Sequence, residues 1–378
     1  MGQATGGTAA DGGATDAFAG RIFASVLGAM DCLTIALGDR LNLYDLLSEH
    51  GPLRPSQLAS LAGIDARYAR EWLEQQAVAG LIAVAAPSDD GDTRTYGLSA
   101  AQREVLCDRS LESYLTPVTQ IVAAAGARLP ELVDAYRSGG GVAWRDYGPR
   151  MRRGQADANR ALFLTSLPQV WLPSLPELHA RLTDGARVAD IGCGDGWSTI
   201  GIASGYPAST VDGFDLDADS VAAARRNADA HDVSERVGFH HADAGSVDGA
   251  YDYTLVTAFE CIHDMPDPVS VLASMHAMAA PDGWVLVVDE RVPDAFSGPG
   301  DPVEQLMYGY SVLVCLPDGM SHRPTRATGT VMRLDVLRGY AREAGFADVA
   351  VLAIENDMFR VYRLVQSPPR GVPGPLGR

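Results

Sequence analysis

The stretch from Arg187 to Asp217, RVADIGCGDGWSTIGIASGYPASTVDGFDLD, constrains the fold of this chain more than any other. Val188, Ala189 and Ile191 surround Asp190 and run into Gly192, Gly194 and Gly196, after which Trp197 to Ala203 reads as a helix. A second short strand, Thr210 to Phe214, ends at Asp215. Strand, glycine turn, helix, strand and terminal acid are the parts of a nucleotide-binding βαβ unit. The glycines let the backbone turn sharply and approach a ligand. Asp215, followed by Leu216, is placed to accept hydrogen bonds from both ribose hydroxyls.

The spacing argues against a dinucleotide. It is G-x-G-x-G rather than G-x-G-x-x-G, and Asp190 sets a carboxylate just before the turn. That charge repels a pyrophosphate on the helix N-terminus and attracts a cationic or zwitterionic ligand. S-adenosylmethionine has an ammonium, a sulfonium and no phosphate. Here the chain resembles the class I S-adenosylmethionine-dependent methyltransferases, whose first motif is a D-x-G-x-G-x-G of this form. The likeness runs from Arg181 to Val365. It implies an α/β, Rossmann-like fold with a seven-stranded sheet and S-adenosylmethionine as cofactor. The cofactor would be held by Asp190, Gly192, Gly194, Gly196, Asp215 and Leu216. In His240-His241-Ala242-Asp243-Ala244, after a third strand, it implies that Asp243 binds the adenine amino group with Ala244 beside it. Tyr251 to Ala258 reads as a fourth strand, Gly283 to Asp289 as a fifth, and Ala341 to Phe346 leads into a last hairpin. Glu260 and the Phe259 carbonyl are placed to meet the methionine ammonium.

Chemistry is expected at the carboxyl ends of the parallel strands. Methyl transfer is an in-line displacement, and a hydroxyl nucleophile improves when its proton leaves. His263, after the fourth strand, has the side chain suited to removing that proton near neutral pH. Plant and bacterial O-methyltransferases, which the chain resembles, carry a catalytic His-Asp at the matching place. Asp289 or Glu290, ending the fifth strand, orients the imidazole, and the sequence leaves the choice between them open. The absence of an N/D-P-P-Y sequence after the fourth strand argues against exocyclic amines of adenine or glutamine as targets. His240 and His241 alternate across a strand and make a poor chelate, so no metal is expected.

The N-terminal third reads as a winged helix. Leu41 to Leu47 is an amphipathic helix, Pro55 and Ser56 open a second that stops at Gly63, and Asp65 caps a third over Ala66 to Ala79. In that third helix Tyr68, Trp72 and Leu73 share a face. Leu81 to Ala85 and Thr95 to Leu98 form the wing. The would-be recognition helix carries Arg67 and Arg70 against Asp65, Glu71 and Glu74, and the wing holds three aspartates against Arg94. Such a surface repels DNA, whose binding depends on basic side chains at phosphates. The resemblance to small-molecule O-methyltransferases implies dimerisation and substrate closure instead. The apolar stretch Phe23 to Leu37 is short and contains Asp31, which argues for a buried helix at the dimer contact over a membrane span.

The expected order is a disordered leader over 1–16, a winged-helix dimerisation domain over 17–110, a helical connector over 111–182, a methyltransferase domain over 183–365 and a disordered tail over 366–378. In the connector, Trp144 and Tyr147 precede Gln155–Arg160 (QADANR), a segment that covers cofactor and substrate in relatives of this architecture. The insertion Arg291–Arg326 brings Tyr308 and Tyr310, which share a side only if the segment is extended. Trp144, Tyr147 and Tyr308 are the substrate candidates, with core packing an equal alternative. Acidic residues number 48 against 30 basic ones, for a net charge of −18, and every basic residue is arginine. Schiff-base chemistry and lysine general bases are thereby excluded. Five scattered cysteines and a leader with no basic start fit a cytoplasmic protein, and the arginine-only habit fits a GC-rich bacterial genome. The expected function is methylation of a small secondary metabolite, at oxygen if His263 is the base. Carbon or nitrogen acceptors, a cyclisation or decarboxylation using the same cofactor, and a ligand-sensing regulator are the alternatives.

Overall fold

The computed structural model describes residues 8–246 and 252–366. They fall into two compact units that divide at Ala123 and Ala124, inside the stretch 111–182 expected to be a separate connector. Residues 129–184 form helices that belong to the second unit.

In the first unit, helices Leu43–His50, Pro55–Ala62 and Ala66–Val78 precede an antiparallel wing, β1 (Ala83–Ala86) and β2 (Thr95–Gly97). The first helix runs to His50 rather than stopping at the expected Leu47, and the other two end where the sequence signals it. Gly63 takes a left-handed C-cap, and the Asp65 carboxylate accepts from the Arg67 N–H. Leu43, Tyr44, Leu47, Leu58, Trp72, Leu73 and Tyr96 form the core. Tyr68 does not join Trp72 and Leu73; it is exposed.

Three expectations at the chain ends change. Residues 8–16, placed in a disordered leader, begin one long helix, Thr8–Arg40. The rest of the leader, 1–7, and all of the tail but Gln366 lie outside the described residues, and Gln366 closes the last strand. The apolar stretch Phe23–Leu37 is helical but not buried. Phe23, Val26, Met30, Leu33 and Leu37 are each about half exposed. Only the end of the helix docks on the winged unit, where Ala36 is buried, the Trp72 indole donates to the Thr34 carbonyl, and a Cβ at Gly38 would strike Trp72.

The second unit is a seven-stranded sheet formed by β3 (Arg187–Ile191), β4 (Thr210–Asp215), β5 (Val237–His241), β6 (Tyr253–Phe259), β7 (Ala279–Glu290), β8 (Phe346–Val351) and β9 (Phe359–Gln366). Its order is β5-β4-β3-β6-β7-β9-β8, parallel except for β9, which runs antiparallel to both neighbours. β3, β6 and β7 are near-continuous apolar runs, as strands covered on both faces must be. One face packs on Leu178, Leu182, Trp197, Ile200 and Val221, the other on Leu272, Met275, Leu337 and Ala341. Tyr251, expected to start the fourth strand, lies outside the described residues. His240 and His241 end β5 rather than following it. The chain runs outward from β3 through β4 to β5, then returns to β6 on the other side. The crevice at that reversal, above the carboxyl ends of β3 and β6, is where open α/β sheets bind ligands.

Candidate active site

The turn after β3 is built by conformation and close approach together. Gly192 and Gly196 hold φ of 68° and 84°, which L side chains rarely adopt. A Cβ on Gly192 would stand 2.7 Å from the Cys261 sulfur, and one on Gly196 would stand 2.8 Å from Phe239. At Gly194 a Cβ would meet nothing within 4 Å, so that backbone borders open space. Its N–H donates to Asp215 Oδ2 at 2.8 Å, and the Asp217 N–H donates to Oδ1 at 2.8 Å. Asp215 is thus held rigid at the end of β4, while Leu216 beside it is exposed.

Asp190 does something other than face a ligand. It is fully buried, and its carboxylate accepts from Ser198 Oγ at 2.6 Å, Thr199 Oγ1 at 2.7 Å and Thr257 Oγ1 at 2.9 Å. Burial raises its pKa against those three donors. Its work is to tie β3 to β6 and to the first turn of helix Trp197–Gly205. The electrostatic case against a pyrophosphate therefore passes to other acids.

Glu260 is one of them. This residue follows β6 with φ of 51°, a left-handed conformation that costs a non-glycine residue of order 1–3 kcal/mol and concentrates at functional sites. Its Oε1 is buried without a hydrogen-bond partner, and Gln155 Nε2 approaches Oε2 at 3.4 Å. Burial pushes its pKa up to about 7, opposed by a hydrogen bond from Asn159 and by His263. Asp195, in the glycine turn, likewise has a buried Oδ1 without a partner, and burial followed by the charge of Asp157 lifts its pKa to about 6. Two acids short of partners beside a bare glycine backbone fit a cationic ligand, and the residues fit S-adenosylmethionine. Asp243 is exposed at the end of β5 and accepts from the Gly245 N–H at 2.9 Å; Ala244 is buried against the core. Phe259 packs edge-on against Phe163 with ring centres 5.1 Å apart.

Three of the expected catalytic residues come together. His263 is 3% exposed, its Nδ1 lies 2.9 Å from Asp289 Oδ1 and 3.3 Å from Glu290 Oε2, and its Nε2 lies 3.1 Å from Asp264 Oδ1. Asp289 thus stands nearer to Nδ1 than Glu290 does, and it also accepts from the Glu290 N–H at 3.0 Å. Burial opposes a charge on the imidazole, but the carboxylates of Asp264, Asp289 and Glu290 outweigh it and hold the pKa well above the ordinary value. The same burial raises Glu290, while His263 keeps Asp289 low against burial.

The substrate candidates separate. Trp144 N–H donates to Asp318 Oδ1 at 2.7 Å, and the buried Tyr147 hydroxyl donates to the Leu313 carbonyl at 2.7 Å. Both brace the short helix Trp144–Tyr147 against a continuous helical run, 302–320. Tyr308 lies in that run beside Phe296 and receives a long contact from Arg333. Because the segment is helical, Tyr308 and Tyr310 diverge by ~200°. Sequence reading missed Asp195, Asp318 and Cys315. Asp318 carries a pKa raised by burial and by Asp264 to about 7, and Cys315 lies against His263. No local motif marks the last two, because their partners lie far away in sequence.

A family described as a methyltransferase domain matches residues 163–351, half of the chain. The chain belongs to this family and is a methyltransferase of the S-adenosylmethionine-dependent class. An Rv2258c-like winged HTH domain matches residues 29–108. The release factor glutamine methyltransferase of Chlorobaculum tepidum is 46% identical over 61 residues, 16% of this chain and only 21% of that enzyme. The ubiquinone biosynthesis O-methyltransferase of Bordetella bronchiseptica is 28% identical over 182 residues, 48% of this chain and 70% of that enzyme. Human N-acetylserotonin methyltransferase, solved with S-adenosylmethionine, is 18% identical, aligned over 97% of this chain and 100% of that one, with a TM-score of 0.69. At that identity the likeness is one of fold.

Proposed function

We propose that the protein transfers the methyl group of S-adenosylmethionine to an oxygen of a small organic acceptor, a secondary metabolite, with His263 as general base. The observation that carries this reading is the buried His263–Asp289 pair at 2.9 Å, at the carboxyl ends of β6 and β7. Asp289 holds the proton on Nδ1 and so turns Nε2 toward the reacting oxygen. Bound cofactor supplies an electrophilic methyl on a sulfonium; Glu260 meets its ammonium and Asp215 its ribose. Phe259-Glu260-Cys261-Ile262 stands in place of N/D-P-P-Y at the end of β6, which sets this chain apart from enzymes acting on glutamine side chains. Incubation with methyl-labelled S-adenosylmethionine and a panel of phenols and hydroxylated aromatics tests the reading. Label on oxygen supports it; label on carbon or nitrogen moves the acceptor. Label left on sulfur while the acceptor changes favours a cyclisation or decarboxylation, a second reading that the raised pKa of His263 supports, since a protonated imidazole donates.

Cofactor binding has its own test. Glu260 holds a proton up to about pH 7 in the free protein, and the ammonium of S-adenosylhomocysteine lowers that pKa. Binding near neutral pH is therefore expected to release protons, and the release fades as pH climbs well above 7. Calorimetry in buffers of different ionisation enthalpy reads this directly, and Glu260→Gln removes it. Tight NAD binding with no heat from S-adenosylhomocysteine would overturn the cofactor assignment. The winged unit is assigned to self-association and not to DNA, because Arg70 and Arg94 are both paired with Glu74, at 3.1 and 3.4 Å. A cytoplasmic location is part of the same reading.

A further inference from the structure

We propose that His263, Asp264 and Cys315 form a binding site for a soft divalent cation, Zn²⁺ being the type, and that its occupancy blocks methyl transfer. The inhibitory half rests on the reading of His263 as base; the binding half does not.

A ring nitrogen of His263, a carboxylate oxygen of Asp264 and Cys315 Sγ all lie within 4.8 Å of one another, and Nε2 is the nitrogen beside Asp264. Nitrogen, oxygen and sulfur together are a donor set that Zn²⁺ accepts, and three protein ligands leave a fourth position open. The geometry of the first pair points the same way. Nε2 and Asp264 Oδ1 are 3.1 Å apart, and the buried Oδ1 has no partner besides His263. That separation is one that two ligands ~2.0–2.2 Å from a common ion can have. The far side of the ring is arranged as in metal sites. Nδ1 lies 2.9 Å from the buried Asp289 Oδ1, which is itself fixed by the Glu290 N–H. A carboxylate on the other ring nitrogen sets the tautomer and raises the basicity of the ligating nitrogen. A second group, His263, Asp289 and Glu290, shares the imidazole on its Nδ1 side, which already lies 2.9 Å from Asp289 Oδ1.

As the metal–sulfur and metal–nitrogen bonds form, the thiol proton of Cys315 and the Nε2 proton of His263 pass to solvent. No oxidation state changes. Affinity consequently rises with pH. The site takes up the lone pair that would remove the acceptor's proton, so metal and methyl transfer exclude each other. The ion is an inhibitor here and not a cofactor.

Titration of the full chain with Co²⁺ tests the binding half, because a thiolate-to-cobalt charge-transfer absorption reports sulfur ligation. One Co²⁺ per chain with that absorption, displaced by Zn²⁺, is expected. Cys315→Ser is expected to abolish the absorption, and Asp289→Asn to weaken Zn²⁺ binding about 10–100-fold. Circular dichroism and a melting curve check that each variant is folded, and Asp264→Asn, nearly isosteric, is expected to weaken Zn²⁺ independently of sulfur. Absence of the absorption in the native chain, or its survival in Cys315→Ser, overturns the proposal. Zn²⁺ is expected to inhibit native methyl transfer. Sulfur-ligated metal that leaves transfer untouched keeps the site and counts against His263 as base.

Discussion

Replacing His263 by Ala is expected to lower turnover of a hydroxyl acceptor by about 10²–10⁴-fold, the usual contribution of a positioned general base. The expectation rests on an imidazole that is buried, oriented by Asp289 and surrounded by carboxylates. Those carboxylates also set the pH dependence. In the free protein they favour the imidazolium, which cannot accept a proton, so kcat/KM is expected to rise with pH above neutrality. The sign follows from the raised pKa: the base is absent below it and present above it. Bound cofactor brings a sulfonium and an ammonium among the same acids, which lowers the pKa. The rise in kcat, which reports the complex, is therefore expected at lower pH than the rise in kcat/KM. Asp289→Asn removes one carboxylate and is expected to shift both limbs to lower pH while reducing the rate. Steady-state kinetics across pH with native protein, His263→Ala and Asp289→Asn read all of this. Near-native turnover by His263→Ala across the range would remove it as the base.

Much of the second unit was legible in the sequence, because its signals are local. The apolar runs of β3, β6 and β7, the glycine turn and the acid at 215 each lie within a few residues of the feature they specify. The same holds for Asp65 and Gly63, which open and close helices where expected. Two kinds of feature were not legible. Asp190 was read as a ligand-facing charge because nothing adjacent to it shows that hydroxyls from 198, 199 and 257 converge on it. Cys315 and Asp318 reach their partners only through tertiary packing. The long N-terminal helix was legible in part: its apolar stretch was expected to be helical, but its start among residues 8–16, rich in Gly, Ala and Thr, was not.

The spacing of apolar residues along that helix carries the second large prediction. Phe23, Val26, Met30, Leu33 and Leu37 recur at intervals of three and four, the seam of two helices packed side by side. Phe18, Ile22 and Leu27 widen the same apolar surface, and all eight are about half exposed within one chain. Full burial of such a side chain is worth ~1.5–3 kcal/mol, so half-exposed ones stand to gain about half of that each. With both copies contributing, the gain can exceed the ~4–15 kcal/mol that association costs. The helix is also long and apolar enough to cross a membrane, with a mean hydropathy of 1.5 in its richest window over Gly13–Arg40. Its last turns, however, are pinned to the winged unit through Thr34, Ala36 and Gly38, and the free part carries Asp16 and Arg21. A dimer satisfies both the seam and the anchored end. Met30→Glu with Leu33→Glu places four carboxylates in that seam across two copies, and is expected to convert a dimer into a monomer by light scattering or sedimentation. The winged unit's own core, centred on Leu58, Leu73 and Tyr96, is untouched by the change, so the variant is expected to stay folded. A native protein that is monomeric at micromolar concentration, or one that partitions into vesicles and releases from them when the two glutamates are introduced, would refute the seam.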